Sequence, residues 1–149
     1  MASGNQTEDA KAIKALIARQ FGSLCWKPGS AADWEAFAGD FLPGSALYPS
    51  VRPAKAQTVP AFVERMRTLS GGALQTFHET MLGSEVHVFG NVAVAIAACE
   101  NIENGKDVNQ VVEMLLLVKE GAAWKIAAQA WDKVTPDNPL PANLGRRDG

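Results

Sequence analysis

The chain has 149 residues, 47% of them hydrophobic and 20% charged, which is typical of one compact domain with a sizeable core. Its formal net charge is −2 and it contains no run of lysine or arginine, so the sequence gives no support for nucleic-acid binding. The longest apolar run, 111–118, is far too short to span a bilayer, and the first ten residues lack the apolar core of a signal peptide.

The two cysteines, Cys25 and Cys99, have no metal-ligand spacing. We interpret them as free thiols in a cytoplasmic protein, although two cysteines can also pair. No three potential ligands show convincing metal spacing, so we predict neither a metal nor a cofactor.

The N-terminal half predicts three helices. After a flexible tail at 1–7, Thr7 and the two acids that follow it mark the start of the first helix. The apolar stripe of this helix is Ile13, Leu16, Ile17, Phe21 and Leu24.

A short second helix is expected to begin near Ser30 or Asp33 and to carry three aromatic residues, Trp34, Phe37 and Phe41. The segment 42–57 is rich in proline and glycine and is expected to hold one short strand. Thr58 caps a third helix, with Pro60 tolerated in its first turn. The buried stripe of the third helix is predicted to be Phe62, Val63, Met66 and Leu69.

The second half predicts a meander of strands, 75–89, 92–102 and 108–119, separated by turns that contain glycine. The next segment, "WKIAAQAW" (124–131), is open to two interpretations. Its alanines favour a helix, but nothing caps a helix there, and a strand continues the meander. A regular strand places Trp124 in the interior and Trp131 on the opposite face, at a subunit contact. Residues 135–149 are predicted to be an extended tail.

Three helices followed by an antiparallel meander indicate an α+β fold. The strand segments 92–99 and 114–118 are apolar on both faces, so both faces of the sheet need cover. The helices can cover one face. A second copy of the chain is the simplest cover for the other, so we predict a homodimer through the sheet face.

Three segments, 32–41, 77–100 and 115–133, resemble the nuclear transport factor two-like superfamily, which includes ketosteroid isomerases and polyketide cyclases. The resemblance spans 8–134 and implies a single domain there, with a strongly curved, cone-like half-barrel of the cystatin-like kind. It also implies a pocket between the helices and the sheet. It implies no particular reaction, because one fold hosts many functions.

Glu113 is the first candidate for chemistry. If Asn104-Gly105 is a two-residue turn, Glu113 sits opposite Ile96 and shares an aliphatic face with it and Glu100. Burial raises the pKa of a carboxyl, which suits general acid–base work or donation by a neutral acid. By resemblance, Glu113 falls near the protonated acid of ketosteroid isomerases. The alternative is a structural glutamate paired with a backbone amide or with Arg65.

Other positions depart from the isomerase pattern. The general base of that family corresponds to Tyr48, and its oxyanion tyrosine falls near Phe21, so steroid isomerisation is not expected. Tyr48 either points its hydroxyl into the pocket or anchors a loop.

His78 is the candidate acid–base partner of Glu113. Side chains alternate along a strand, so only one of His78 and Glu79 faces the pocket. A regular register turns the side chain of Glu79 toward the pocket, whereas a bulge at Gly83 turns that of His78 toward it. His87 is expected on the outer face, near a turn.

The predicted ligand-binding residues make an apolar pocket for a ring-bearing or lipid-like molecule. They are Trp34, Phe37, Tyr48, Phe62, Met66, Ile96, Glu100, Leu115 and Ala128. No phosphate-binding glycine pattern or nucleophile motif occurs.

The leading interpretation is a small-molecule-binding protein of unknown ligand. One alternative is an isomerase, cyclase or dehydratase that uses Glu113 and His78 for proton transfer. Another is a non-catalytic module whose sheet face binds a different protein.

Overall fold

The computed structural model describes residues 4–145, which form three α-helices packed on one six-stranded sheet. The helices are α1 (Gly4–Ser23), α2 (Trp34–Gly39) and α3 (Val59–Ser70). The strands are β1 (Phe41–Tyr48), β2 (Gln57–Thr58), β3 (Phe77–Phe89), β4 (Val92–Glu103), β5 (Asp107–Glu120) and β6 (Ala123–Lys133). The predicted α+β class is confirmed.

Helix α1 begins at Gly4, so the predicted start at Thr7 is wrong, and the described part of the predicted tail 1–7 is helical. Contacts with the sheet hold this end of the helix. Both Lys119 Nζ and Trp124 Nε1 donate to Asp9 Oδ1, at 3.0 and 3.1 Å. The predicted apolar stripe of α1 is buried in full.

Side-chain caps define the starts of the other two helices, as predicted. Asp33 Oδ1 accepts from Ala36 N at 3.0 Å at the start of α2, and Thr58 Oγ1 accepts from Ala61 N at 3.2 Å at the start of α3. Because α2 ends at Gly39, Phe41 belongs to β1 rather than to the helix.

The strand order is β2-β1-β6-β5-β4-β3. The meander β3–β6 is antiparallel, as predicted, but β1 runs parallel to β6, so the sheet as a whole is mixed. A parallel pair requires a long crossover. Here α3 and the rest of the meander separate β1 from β6 along the chain.

The β4–β5 hairpin has a three-residue loop rather than the predicted two-residue turn. Glu103 pairs with Asp107, and Lys106 N donates to Glu103 O at 3.0 Å. Asn104 and Gly105 take left-handed φ angles of 53° and 67°. Because of the extra loop residue, each side chain of β5 lies on the same face as a different set of β4 side chains than the two-residue turn predicts.

A bulge in β6 brings the two tryptophans to one face. Leu116 pairs with Ala128 but Leu117 pairs with Ile126, so Ala127 is the extra residue. Trp124 is buried, and Trp131 packs edge-on against Phe62 with ring centroids 5.7 Å apart. The segment is a strand, as predicted, but the prediction that Trp131 faces away from the interior is wrong.

The sheet face away from the helices carries exposed apolar side chains, among them Val92, Val94, Met114 and Leu116. The segment after β6 ends in a short 3-10 helix, Ala142–Leu144, which contacts β3 and buries Leu144. Leu144 therefore packs on the domain, whereas most side chains of 135–145 are exposed, and the rest of the predicted tail lies outside the described residues. None of the helices described here is long and apolar enough to cross a membrane.

Candidate functional site

A cavity of about 330 Å³ lies between the helices and the inner face of the sheet. Exposed lining residues, among them Val51, Arg65 and Lys133, mark its mouth. Its apolar lining includes Leu24, Phe37, Phe62, Met66, Leu69, Leu74, Phe77 and Trp131. Buried polar side chains also line it, Gln20, Glu79, Glu113 and Gln129. The cavity is therefore apolar along its walls and polar at one buried point.

Two irregularities of the sheet bring the acids together. Because of the three-residue hairpin loop, Glu113 pairs with Ala97, not Ile96, and points to the inner face. On β3 the pairing shifts between Met81 and Gly83, so that Glu79 pairs with Asn101 on the same inner face. The predicted bulge near Gly83 is thus present. Because the register of the β4–β5 hairpin also differs from the predicted one, the bulge turns Glu79, not His78, toward the interior.

Cys99 lies between the two acids on β4, the strand that separates β3 from β5. Its Sγ donates to Glu113 Oε2 at 3.5 Å and lies 3.9 Å from Glu79 Oε2. One ligand atom from each of the three side chains lies within 4.8 Å of the others, and all three residues are buried.

Burial decides the protonation of this cluster. It raises the pKa of Glu113 to about 7, although hydrogen bonds from Gln129 and Cys99 act in the opposite direction. Burial, and then the charge of Glu113, raise the pKa of Glu79 well above its ordinary value. Burial and the two neighbouring carboxylates also hold the pKa of Cys99 far above that of a free thiol. The pKa values of both carboxyls are therefore raised, that of Glu113 into the neutral range, and Cys99 remains a thiol donor.

A pair of amides supports Glu113 on its other side. Gln129 Nε2 donates to Glu113 Oε1 and, at 3.2 Å, to Gln20 Oε1. Gln20 Nε2 in turn donates to Gln129 Oε1 at 2.9 Å. The partners of Glu113 are thus Gln129 and Cys99, not the Arg65 considered from the sequence.

Glu79, Cys99 and Glu113 are also the described residues closest to a metal-ligand set. Sequence spacing did not indicate them because they come from three different strands. A cation there needs a thiolate and two carboxylates. Burial opposes each of those ionisations, so the donor set fits a shared proton better than a divalent cation.

Three of the predicted ligand-binding residues, Phe37, Phe62 and Met66, line the cavity. Trp34 instead packs on Trp26, with ring centroids 5.5 Å apart. Tyr48 is 41% exposed, because β1 alternates and its neighbour Leu47 takes the buried position. Trp34 and Tyr48 are therefore not part of the cavity lining.

The register explains the remaining differences. Ile96, Glu100 and Ala128 lie on the outer face of the sheet, and His78, which is exposed, lies there too. Leu115 lies on the inner face but is buried in the core, outside the lining. The expected partnership of Glu113 with His78 or Glu100 is thus corrected to one with Glu79.

The sequence analysis did not identify Gln20 or Gln129 as cavity residues. The sequence contains an indication for Gln20 but none for Gln129. Gln20 falls on the predicted apolar stripe of α1, three residues after Ile17 and four before Leu24, where a polar side chain is unusual. Gln129 lies among alanines in β6, and only the bulge at Ala127 turns it inward, which the sequence does not mark.

Comparisons with known proteins support the fold. No protein-family model matches the chain, and no curated protein does. A protein from Novosphingobium aromaticivorans, named provisionally as a scytalone dehydratase, is 10% identical with a TM-score of 0.70, over 96% of this chain and 95% of its own. A second protein from that organism, named provisionally as an aromatic ring hydroxylase, is 14% identical with a TM-score of 0.67, over 87% and 92% of the two chains.

A third solved structure, an uncharacterised protein with a cystatin-like fold from Caulobacter vibrioides, is 17% identical with a TM-score of 0.68, over 87% and 92% of the two chains. The fold is thus that of the nuclear transport factor two-like superfamily, as the resemblance implied. At these identities the likeness shows the fold and no activity.

Proposed function

We propose that this protein binds a small ring-bearing organic molecule in the cavity and transfers a proton on it. The observation that carries the proposal is Glu113, a carboxyl buried in an apolar cavity with its pKa raised to about 7. A general base works best when its pKa is near the working pH.

The two acids divide the work in this proposal. Glu113, partly ionised at neutral pH, accepts the proton from the ligand. In its protonated form, which its raised pKa favours, Glu79 donates a hydrogen bond where negative charge develops. Glu79 therefore takes the role that the sequence suggested for His78.

Aromatic side chains support a ring-bearing ligand. Phe37, Phe62, Phe77 and Trp131 line the cavity, and the ring planes of Phe37 and Phe62 are stacked with centroids 5.5 Å apart. Two structural neighbours carry provisional names of a dehydratase and of an aromatic ring hydroxylase. The dehydratase name agrees with proton transfer, and the hydroxylase name agrees only with a ring-bearing ligand.

The proposal is tested with 2-tetralone, an enolisable ring ketone. We expect the protein in D₂O to speed exchange of its α-hydrogens above the buffer rate, as followed by proton NMR. Glu113→Gln is expected to lose about 100-fold or more of that acceleration. Glu85→Gln, a change of a partly exposed acid on the outer face, serves as the matched control. A wild-type rate equal to that of buffer, or full activity in Glu113→Gln, contradicts the proposal.

We also propose a cytoplasmic homodimer in which the outer sheet face packs against a second copy of the chain. The support is the exposed apolar group Val92, Val94, Met114 and Leu116 on two neighbouring strands. A contiguous apolar surface of this kind is typical of an interface. The single domain that we propose for each copy comprises residues 8–134. Binding of a different protein on this face is the alternative.

A further inference from the structure

Two cationic side chains lie at the mouth of the cavity, one on the helix side and one on the sheet side. Arg65 belongs to α3 and Lys133 is the last residue of β6, and both are exposed. Among the described residues, neither the guanidinium group nor the ammonium group has an ion-pair or hydrogen-bond partner. Both charges are therefore free to bind a molecule that enters the cavity.

Helical spacing places Arg65 on the cavity side of α3. Phe62, Arg65, Met66 and Leu69 follow the pattern i, i+3, i+4 and i+7, which puts them on one face of a helix. All four residues line the cavity. Arg65 is thus a charged residue on an otherwise apolar stripe, where its stem covers apolar surface and its charged end stays in water. The position belongs to the cavity and not to the solvent-facing side of the helix.

The alternation of β6 places Lys133 at the outer end of a row of cavity residues. Gln129, Trp131 and Lys133 are spaced by two after the bulge at Ala127, so they face inward together, and all three line the cavity. Exposure rises along the row, from the buried Gln129 through the half-buried Trp131 to the exposed Lys133. The row therefore runs from the polar end of the cavity to its mouth, with an aromatic ring between.

The charges of the lining favour an anion with a single charge. Among the lining residues that the structure describes, Glu103 is the acid outside the buried pair, and its Oε1 accepts from Asn109 Nδ2 at 3.3 Å. The two cations and this acid together leave one positive charge, which balances one carboxylate and not the two charges of a phosphate monoester. The parallel N–H donors of an arginine also match the two oxygens of a carboxylate.

We propose that the ring-bearing ligand of this cavity is a monocarboxylate, held at the mouth by Arg65 and Lys133 while its ring lies against Phe62 and Trp131. The inference rests on the ring-binding part of the proposed function and names the class of the ligand. The two cations keep the charged end of the ligand away from Glu113, because like charges repel. The opposite end of the ring then faces the buried acids, so the cations determine which atom of the ligand reaches Glu113.

Two ligands of equal shape and different charge test the inference by NMR titration. The probe is 2-naphthoate, and 2-naphthamide is its uncharged counterpart. We expect the wild-type protein to bind 2-naphthoate about tenfold more tightly at neutral pH and low salt. Most of that preference should disappear at about 1 M salt, because salt screens exposed charges. Arg65→Met and Lys133→Met should each weaken 2-naphthoate about fivefold and leave 2-naphthamide within about twofold.

Two further variants separate the effect of the charge from that of the side-chain shape. Arg65→Lys keeps the charge and should preserve part of the preference for 2-naphthoate. Arg67→Met is the matched control, because it makes the same change on the same helix. The guanidinium of Arg67 lies over the ring of Trp34, outside the cavity lining, so this variant should change neither affinity.

Equal affinities of the wild type for the two compounds, or equal losses in Arg65→Met and Arg67→Met, overturn the inference. Binding of neither compound overturns it too, and so does tighter binding of 2-naphthyl phosphate than of 2-naphthoate, which identifies a phosphate site. In each of these cases, exchange of 2-tetralone by the wild type leaves the proposed function standing. Absence of that exchange, with the preference for 2-naphthoate intact, overturns the proposed proton transfer and supports the inference.

Discussion

Glu79 and Glu113 lie on strands that are not neighbours, β3 and β5, and they meet across the thiol of Cys99 on β4. No described cation pairs with either carboxyl. Ionisation of both carboxyls is unfavourable at this distance in an apolar setting. The pair at the wall of the cavity therefore tends to retain a proton.

The titration of the two acids should be unequal. We expect Glu113→Gln to lower the pKa of Glu79, because the charge of Glu113 contributes to its rise, while burial keeps it above 4.5. Glu79→Gln should leave Glu113 titrating near 7, because burial is the leading cause there. Carbon-detected NMR of the glutamate carboxyls measures both values. An ordinary pKa for Glu113 in the wild type contradicts the buried pair.

Stability should fall as pH rises from 4.5 toward 7. Glu113 has a higher pKa in the folded protein than in the unfolded chain, so the folded state binds more protons in this window. Its contribution is complete below about pH 4.5 and amounts to on the order of 3 kcal/mol across the window. Glu113→Gln should reduce the slope in urea unfolding at pH 4.5, 6 and 8, with the raised pKa of Glu79 causing the slope that remains, and Glu85→Gln should leave the slope unchanged. A slope unchanged by Glu113→Gln opposes the expectation.

Added zinc should leave the melting temperature unchanged at pH 7. Binding at the cluster requires proton loss from Glu79 and Cys99, both of which burial opposes. Differential scanning fluorimetry with Zn²⁺ and with chelator measures the effect. A rise in melting temperature that Cys99→Ser removes identifies a metal centre instead.

Asn104 should be a stabilising residue of the hairpin loop. Its Oδ1 accepts from Gln75 N at 2.9 Å and Thr76 N at 3.2 Å, and its Nδ2 donates to Ala73 O at 3.1 Å. Asn104→Ala is expected to lower the free energy of unfolding by about 2 kcal/mol, because these bonds are lost and its φ is left-handed.

Asn104→Gly separates the two causes, since glycine tolerates the positive φ but makes none of the side-chain bonds. It should therefore lose less stability than Asn104→Ala. Asn109→Ala, an exposed change on the neighbouring strand, should shift stability by less than about 0.5 kcal/mol. Equal effects of all three changes contradict the role of Asn104.

If the proposed homodimer forms through the outer sheet face, a charge on that face should convert it into monomers. Leu116 is 46% exposed and central to the apolar group there, so Leu116→Glu buries a carboxylate in the proposed interface. Light scattering after size exclusion reports the mass. Lys106→Glu, in the hairpin loop, should keep the dimer mass. A monomeric wild type removes the basis for this prediction.

Local patterns predicted the helices better than the site. The stripe of α1 follows from side-chain spacing within one helix, which no distant contact can shift. The caps Asp33 and Thr58 are equally local. The faces of the strands depend on loop length and bulges, where one residue reverses every side chain.

Glu79 illustrates the limit. Its inward direction results from two offsets, a three-residue loop after Glu103 and a bulge between Met81 and Gly83, and each alone points His78 inward instead. The glycine signalled the bulge, whereas nothing distinguished Asn104-Gly105 from the commoner two-residue turn. The bulge at Ala127 left no mark among the alanines, so Trp131 was assigned to the wrong face.

The hydrogen bond between Gln20 and Gln129 joins residues 109 positions apart. During translation the first helix is complete long before the last strand leaves the ribosome, and the chain emerges N-terminus first. The apolar stripe of that helix packs mainly on β3, which is made earlier, whereas the contact with β6 closes a much longer loop and so costs more entropy before it returns any contact energy. The amide support of the acid pair therefore requires β6, and a nascent chain that ends before β6 lacks Gln129 and with it that support.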